Sequence, residues 1–77
     1  MSVMEIVSYR WRKTTDINRE YALFELLEGE VPVLDLGFSD EGILELAFNP
    51  RVSGRIFELE KFLKLLDEGR ALAEHDR

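Results

Sequence analysis

The run Leu34-Asp35-Leu36-Gly37-Phe38-Ser39-Asp40-Glu41-Gly42-Ile43-Leu44-Glu45-Leu46-Ala47-Phe48 constrains this chain more than any other part of it. Two alternating apolar stretches flank a turn. Period-two alternation marks a strand with one face buried. Ser39-Asp40-Glu41-Gly42 supplies acceptor side chains and then a glycine able to take positive φ, which is hairpin chemistry. If Asp40-Glu41-Gly42 form a three-residue loop, Ser39 pairs with Ile43. Phe38 then faces Leu44, Leu36 faces Leu46, and Leu34 faces Phe48. Turn and apolar faces demand the same register, and a slip by one residue would turn every leucine to the wrong side.

The rest of the chain extends this unit. Val3 to Arg12 predicts a half-buried strand, with Val7, Tyr9 and Trp11 on one parity and Ser8, Arg10 and Arg12 on the other. Lys13 to Asn18 has loop composition. Tyr21 to Leu27 is apolar on both parities and ends before Gly29, which predicts a short central strand rather than a helix. Val31 to Phe38 and Ile43 to Asn49 are the hairpin strands, with Pro32 near a strand start, where a missing amide is tolerated. Asn49-Pro50 breaks the sheet. From about Glu58 to Glu74 the period becomes helical, and Leu59, Phe62, Leu63, Leu66 and Ala73 share a face. Gly69 falls on that face too. It marks either a close approach of helix and sheet or a bend. The expected fold is α+β, a four-stranded antiparallel meander with one C-terminal helix packed on one face (β-β-β-β-α). Phe24, Leu26, Leu34, Leu36, Phe38, Leu44, Leu46 and Phe48 are expected to meet the helical leucines.

With 77 residues, one small domain spanning 1–77 is expected. There is no cysteine to form a disulfide or a thiolate metal site, and one histidine leaves mainly carboxylates as ligands. No metal and no cofactor is expected. Apolar residues at 45% and charged residues at 34% fit a globular chain rather than a disordered one. No stretch is apolar for the length of a bilayer, and the N-terminus lacks a basic region followed by an apolar run, so a cytoplasmic protein is expected.

The formal charge is −6, from 16 acids and 10 bases, which argues against nucleic acid and anionic membranes as partners. Its distribution is more informative. Residues 1–19 carry Arg10, Arg12, Lys13 and Arg19 against Glu5 and Asp16, a balance of +2, and residues 51–77 balance at zero. Residues 20–50 carry Glu20, Glu25, Glu28, Glu30, Asp35, Asp40, Glu41 and Glu45 with no lysine or arginine, a balance of −8. Glu25, Asp35 and Glu45 lie on the parity opposite the core, so they are expected together on the open sheet face with Tyr21, Leu23, Val33, Ile43 and Ala47. Glu28, Glu30, Asp40 and Glu41 are expected in the two hairpin loops. The candidate partner-binding residues are therefore Glu25, Asp35, Glu45, Glu28, Glu30, Asp40, Glu41 and Tyr21. Such a surface suits a basic protein. Charges kept only for solubility and edge protection are the alternative, as is a homodimer through the open face.

Catalytic machinery is not evident. The serines lack a glycine-flanked elbow, His75 lies near the end of the chain, and the five glycines are too scattered for a phosphate loop. Asp35 and Glu45 are conceivable paired carboxylates, but solvated surface acids are the commoner case. Trp11 between Arg10 and Arg12 has the composition of a base-stacking site, yet in so acidic a chain packing at the sheet edge is the expected role. No catalytic residue is assigned, and an enzyme is not expected.

In size, acidity and layout, the stretch from Gly29 to Phe38, the Ser39–Gly42 turn, Ile43 to Phe48 and the leucine-rich helix resemble small acidic bacterial immunity proteins. These are the proteins paired with polymorphic or contact-dependent growth inhibition toxins. The resemblance covers about residues 20–72. It implies a cytoplasmic, non-enzymatic protein that binds one toxin domain and blocks its active site. It also implies a basic partner, since toxins of this kind are often nucleases, with carboxylates placed where phosphates would lie. Immunity proteins differ in fold, so the resemblance assigns no individual roles.

Overall fold

The computed structural model describes residues 8–77. These form β1 (Tyr9–Thr14), β2 (Leu23–Glu28), β3 (Val31–Phe38), β4 (Leu44–Phe48) and α1 (Leu59–Asp76). The strands lie in the order β1-β2-β3-β4, each antiparallel to its neighbour. This is the expected β-β-β-β-α fold. Residues 3–7, the beginning of the first predicted strand, lie outside the described residues. β1 runs on to Thr14, two residues further than expected. There the Thr14 hydroxyl reaches the Leu23 carbonyl oxygen at 3.3 Å.

The β3–β4 hairpin has the register its turn dictates: Leu34 opposite Phe48, Leu36 opposite Leu46, Phe38 opposite Leu44. The Gly42 amide donates to the Ser39 carbonyl (2.8 Å) and the Ser39 amide to the Ile43 carbonyl (2.8 Å). Gly42 has φ 82°, a left-handed conformation that a side chain at this position would oppose. The Ser39 hydroxyl oxygen accepts from the Ile43 amide (3.2 Å), which closes the turn with a side-chain bond as well.

One irregularity redirects β3. Leu26 pairs with Leu34 but Leu27 pairs with Pro32, leaving Val33 as an extra residue in a bulge. Proline cannot donate to the ladder, and the bulge falls beside it. Its effect is to bury Val33 completely within the core cluster, whereas strict alternation placed it on the open face. The Val33 carbonyl accepts the Asn49 amide (2.9 Å), which holds the end of β4 to the bulge.

Phe24, Leu26, Val33, Leu34, Leu36 and Phe38 form the buried cluster with Ala73 of the helix. Fully burying such a side chain contributes about 1.5–3 kcal/mol. The helix is seated by β1. Trp11 Nε1 donates to the Leu65 carbonyl (3.0 Å), and the indole lies flush on Gly69. A Cβ at Gly69 would stand 2.5 Å from Trp11 Cζ2 and 2.7 Å from Cη2. Gly69 is thus a point of close approach, and α1 continues unbroken through it. Lys13 adds an ion pair to Asp76.

The helix does not cover the whole sheet. Leu46 is 39% exposed and Phe48 58%, although both share the core-facing parity. On the helix, Leu59 and Leu63 are exposed as well. The expected contact between all three β4 residues and the helical leucines is therefore incomplete. The helix lies mainly over β2 and β3, tied to β1 by Trp11 and Lys13, and β4 is left at the margin.

Candidate functional site

The eight acids of residues 20–50 divide into two sets. Three take basic partners. Glu25 is opposite Arg12 on β1 and forms an ion pair with it. Glu28 is bound by Arg55 and by the Tyr9 hydroxyl, which donates to it at 2.8 Å. Glu30 faces Arg10 at 3.6 Å, exposed to solvent. Among the described residues the other five, Glu20, Asp35, Asp40, Glu41 and Glu45, form no ion pair.

These five gather toward one end of the sheet. The Glu20 amide donates to Asp40 Oδ1 (3.3 Å), which brings the segment before β2 against the β3–β4 loop. Glu41 is beside it in the loop. Asp35 and Glu45 lie on the open face as diagonal neighbours, since Asp35 pairs with Ala47 and Gly37 with Glu45. Together with Arg19, Leu23, Gly37 and Ala47 they line a shallow depression.

The depression raises the energy of charge. Burial pushes the Asp35 carboxyl above its ordinary value, the facing Glu25 carboxylate pushes it further, and Arg19 opposes both. Glu28 is the contrast. The hydrogen bond from Arg55 holds its carboxyl below the ordinary value against a desolvation penalty, and the Tyr9 hydrogen bond helps. The Tyr9 phenol is raised, by burial first and then by Glu28.

Three expectations need correction. Glu28 is not a loop acid. It ends β2 on the helix-facing side, committed to Tyr9 and Arg55, because the loop itself is only Gly29-Glu30. Tyr21 is not on the open face. Glu20 and Tyr21 form a bend before β2, and the Tyr21 ring packs edge-on against Phe38 at 6.0 Å. Val33 left that face through the bulge. Leu23 and Ala47 remain there, while Ile43 is exposed in the turn. Glu25, Asp35 and Glu45 are brought together as expected, and Asp40 and Glu41 occupy the hairpin loop.

Two bases at this end escaped the sequence reading. Arg19 donates to the Phe38 carbonyl (2.9 Å) and contacts the Tyr21 carbonyl (3.4 Å). Arg77 stacks over the Phe38 ring, 4.4 Å from its centroid, and over Tyr21 at 5.9 Å. Both come from segments outside the acidic block, and no local pattern announces them. Glu20 is visible in the charge count but only the fold places it beside Asp40.

No family model, curated protein or solved structure matches this chain. Among the described residues, no three His, Cys, Asp or Glu side chains are placed to hold a metal ion. No helix among them is long and apolar enough to cross a membrane.

Proposed function

We propose that this chain is a cytoplasmic, non-enzymatic binding module for a basic protein, acting in the manner of an immunity protein that occludes a toxin. The observation that carries the reading is the gathering of Glu20, Asp35, Asp40, Glu41 and Glu45 at one end of a rigid sheet without ion-pair partners among the described residues. Unpaired carboxylates on a hydrogen-bonded scaffold lose little conformational freedom on meeting a cationic surface, and their field speeds encounter. The raised Asp35 carboxyl is consistent with a site that lacks positive charge and would gain it from a partner. Arg19 and Arg77 are occupied by carbonyl and ring contacts, so they neutralise this end only in part.

The experiment is affinity capture from the native organism, with wild type and Asp35→Asn/Asp40→Asn/Glu41→Gln/Glu45→Gln run in parallel. A basic protein retained by wild type, released by salt and lost with the variant is the expected result. Retention of the same proteins by both baits would overturn the acidic end as the binding site. Co-expression then tests the occlusion reading: the captured partner should be toxic alone and harmless beside this chain.

A further inference from the structure

We infer that two copies of this chain associate by antiparallel pairing of their β4 edges, forming a continuous eight-stranded sheet with the exposed apolar strip between β4 and α1 closed from both sides. The proposal rests on three features of β4.

The first is the bonding direction of the edge. The Ile43 carbonyl and the Asn49 amide both bond toward β3. Alternation then points the amides and carbonyls of Leu44, Leu46 and Phe48 out of the sheet. An antiparallel copy can pair all three only in the register centred on Leu46, with Leu46 facing Leu46 of the second copy and Leu44 facing Phe48. That register makes six main-chain hydrogen bonds.

The second is what this register does with side chains. On the open face it sets Glu45 against Ala47 of the second copy, so the like charges of the two Glu45 residues do not meet. It also carries the acidic loop Asp40-Glu41 of one copy toward the Arg51 turn of the other, a charge match repeated by the two-fold axis. The opposite edge is built to refuse such pairing. β1 is Tyr9-Arg10-Trp11-Arg12-Lys13-Thr14, and basic residues on an edge are a standard guard against sheet extension. β4 has no lysine, arginine or proline.

The third is the apolar strip itself. Arg70, Glu74 and Arg77 line one depression with Leu44, so that side of α1 borders β4. Leu63 is two turns before Arg70, and Leu59 one turn further, which puts both on the same side. Phe62 stacks on Phe48 at 6.5 Å. Exposed Leu46, Phe48, Leu59 and Leu63 thus form one strip along the outward edge. The second copy brings the same strip to the same place, as a two-fold interface requires. Asp35 and the open face stay uncovered, while Asp40 and Glu41 are shared with the basic-partner site; Leu46→Lys leaves all five carboxylates of that site in place, so it tests the dimer without testing that reading.

Sedimentation equilibrium at micromolar concentration should give twice the chain mass, and Leu46→Lys should return the chain mass with an unchanged circular dichroism spectrum. The chain has no cysteine, so cross-linking can read the register. An oxidised mixture of Glu45→Cys and Ala47→Cys chains should yield a covalent heterodimer, while Glu45→Cys alone should yield none. A monomer at these concentrations would overturn the proposal. So would a dimer that survives Leu46→Lys but dissociates with Leu23→Asp, since that dimer would use the open face. Equal cross-linking of Glu45→Cys alone and of the mixture would rule out the stated register.

Discussion

The two long sides of the helix meet the sheet in opposite ways. Toward β1 the contact is locked: Trp11 lies flush on Gly69 and donates to the Leu65 carbonyl, while Lys13 reaches Asp76. Toward β4 it is open, with Leu46, Phe48, Leu59 and Leu63 exposed. The two edge strands differ in the same sense. β1 is basic and guarded, β4 is apolar and bare. One helix cannot seat tightly on both margins of a four-stranded sheet. The chain has concentrated its specific packing on one margin and left the other available.

The largest test of the locked side is Trp11→Ala. It removes the indole from Gly69 and the bond to Leu65, and should destabilise the fold by about 3 kcal/mol in urea unfolding. Gly69→Ala should destabilise by about 1 kcal/mol. The overpacking penalty of about 1–3 kcal/mol exceeds the gain in helix propensity of about 1 kcal/mol. Adding Trp11→Leu to Gly69→Ala should be less damaging than the sum of the two, because both act on one contact. If the effects simply add, the indole does not set the height of the helix.

Two carboxylates at the helix-side end and on the open face sharpen the contrast through pH. Glu28 is held below its ordinary value of 4.5, so its contribution is fully present above that pH and is lost as pH falls through the depressed value. Glu28→Gln should destabilise by about 0.5 kcal/mol at pH 7, the size of a solvent-screened pair, with the difference fading in acid. Asp35 is raised above 3.8, so its carboxylate opposes folding at neutral pH and the opposition is relieved as pH falls through the raised value. Asp35→Asn should therefore stabilise slightly at pH 7. Thermal melts from pH 7 to pH 3 check both signs.

The smallest effect is expected on the open side. Leu46→Lys, measured dilute enough to keep the chain monomeric, should change stability by no more than about 0.5 kcal/mol, since the lysine stem can lie along the surface that the leucine covers and carry its charge to water. A loss as large as that of Trp11→Ala would mean that β4 is as tightly packed as β1.

Much of this was legible from residue order. The Ser39–Gly42 turn and the leucines beside it specify the β3–β4 register twice over, and the structure has that register. Asp35 and Glu45 share the open face because alternation survives from Asp35 onward. Before Asp35 it fails at two points only. The Val33 bulge and the bend at Glu20 and Tyr21 each break the parity count, and with it the placement of Val33 and Tyr21. Glu28 looked like a loop acid because its partners, Tyr9 and Arg55, are 19 and 27 residues away.

By itself the sequence determined the element order, the hairpin register, the apolar helix face and the acidic block, because each depends on neighbours within a few residues. Only the tertiary structure decided which acids stay unpaired, since Arg12, Arg55 and Arg10 arrive from distant segments. It alone decided which margin of the sheet locks onto the helix. Trp11 and Gly69 are 58 positions apart in the chain, and their fit exists only once the helix has crossed the sheet.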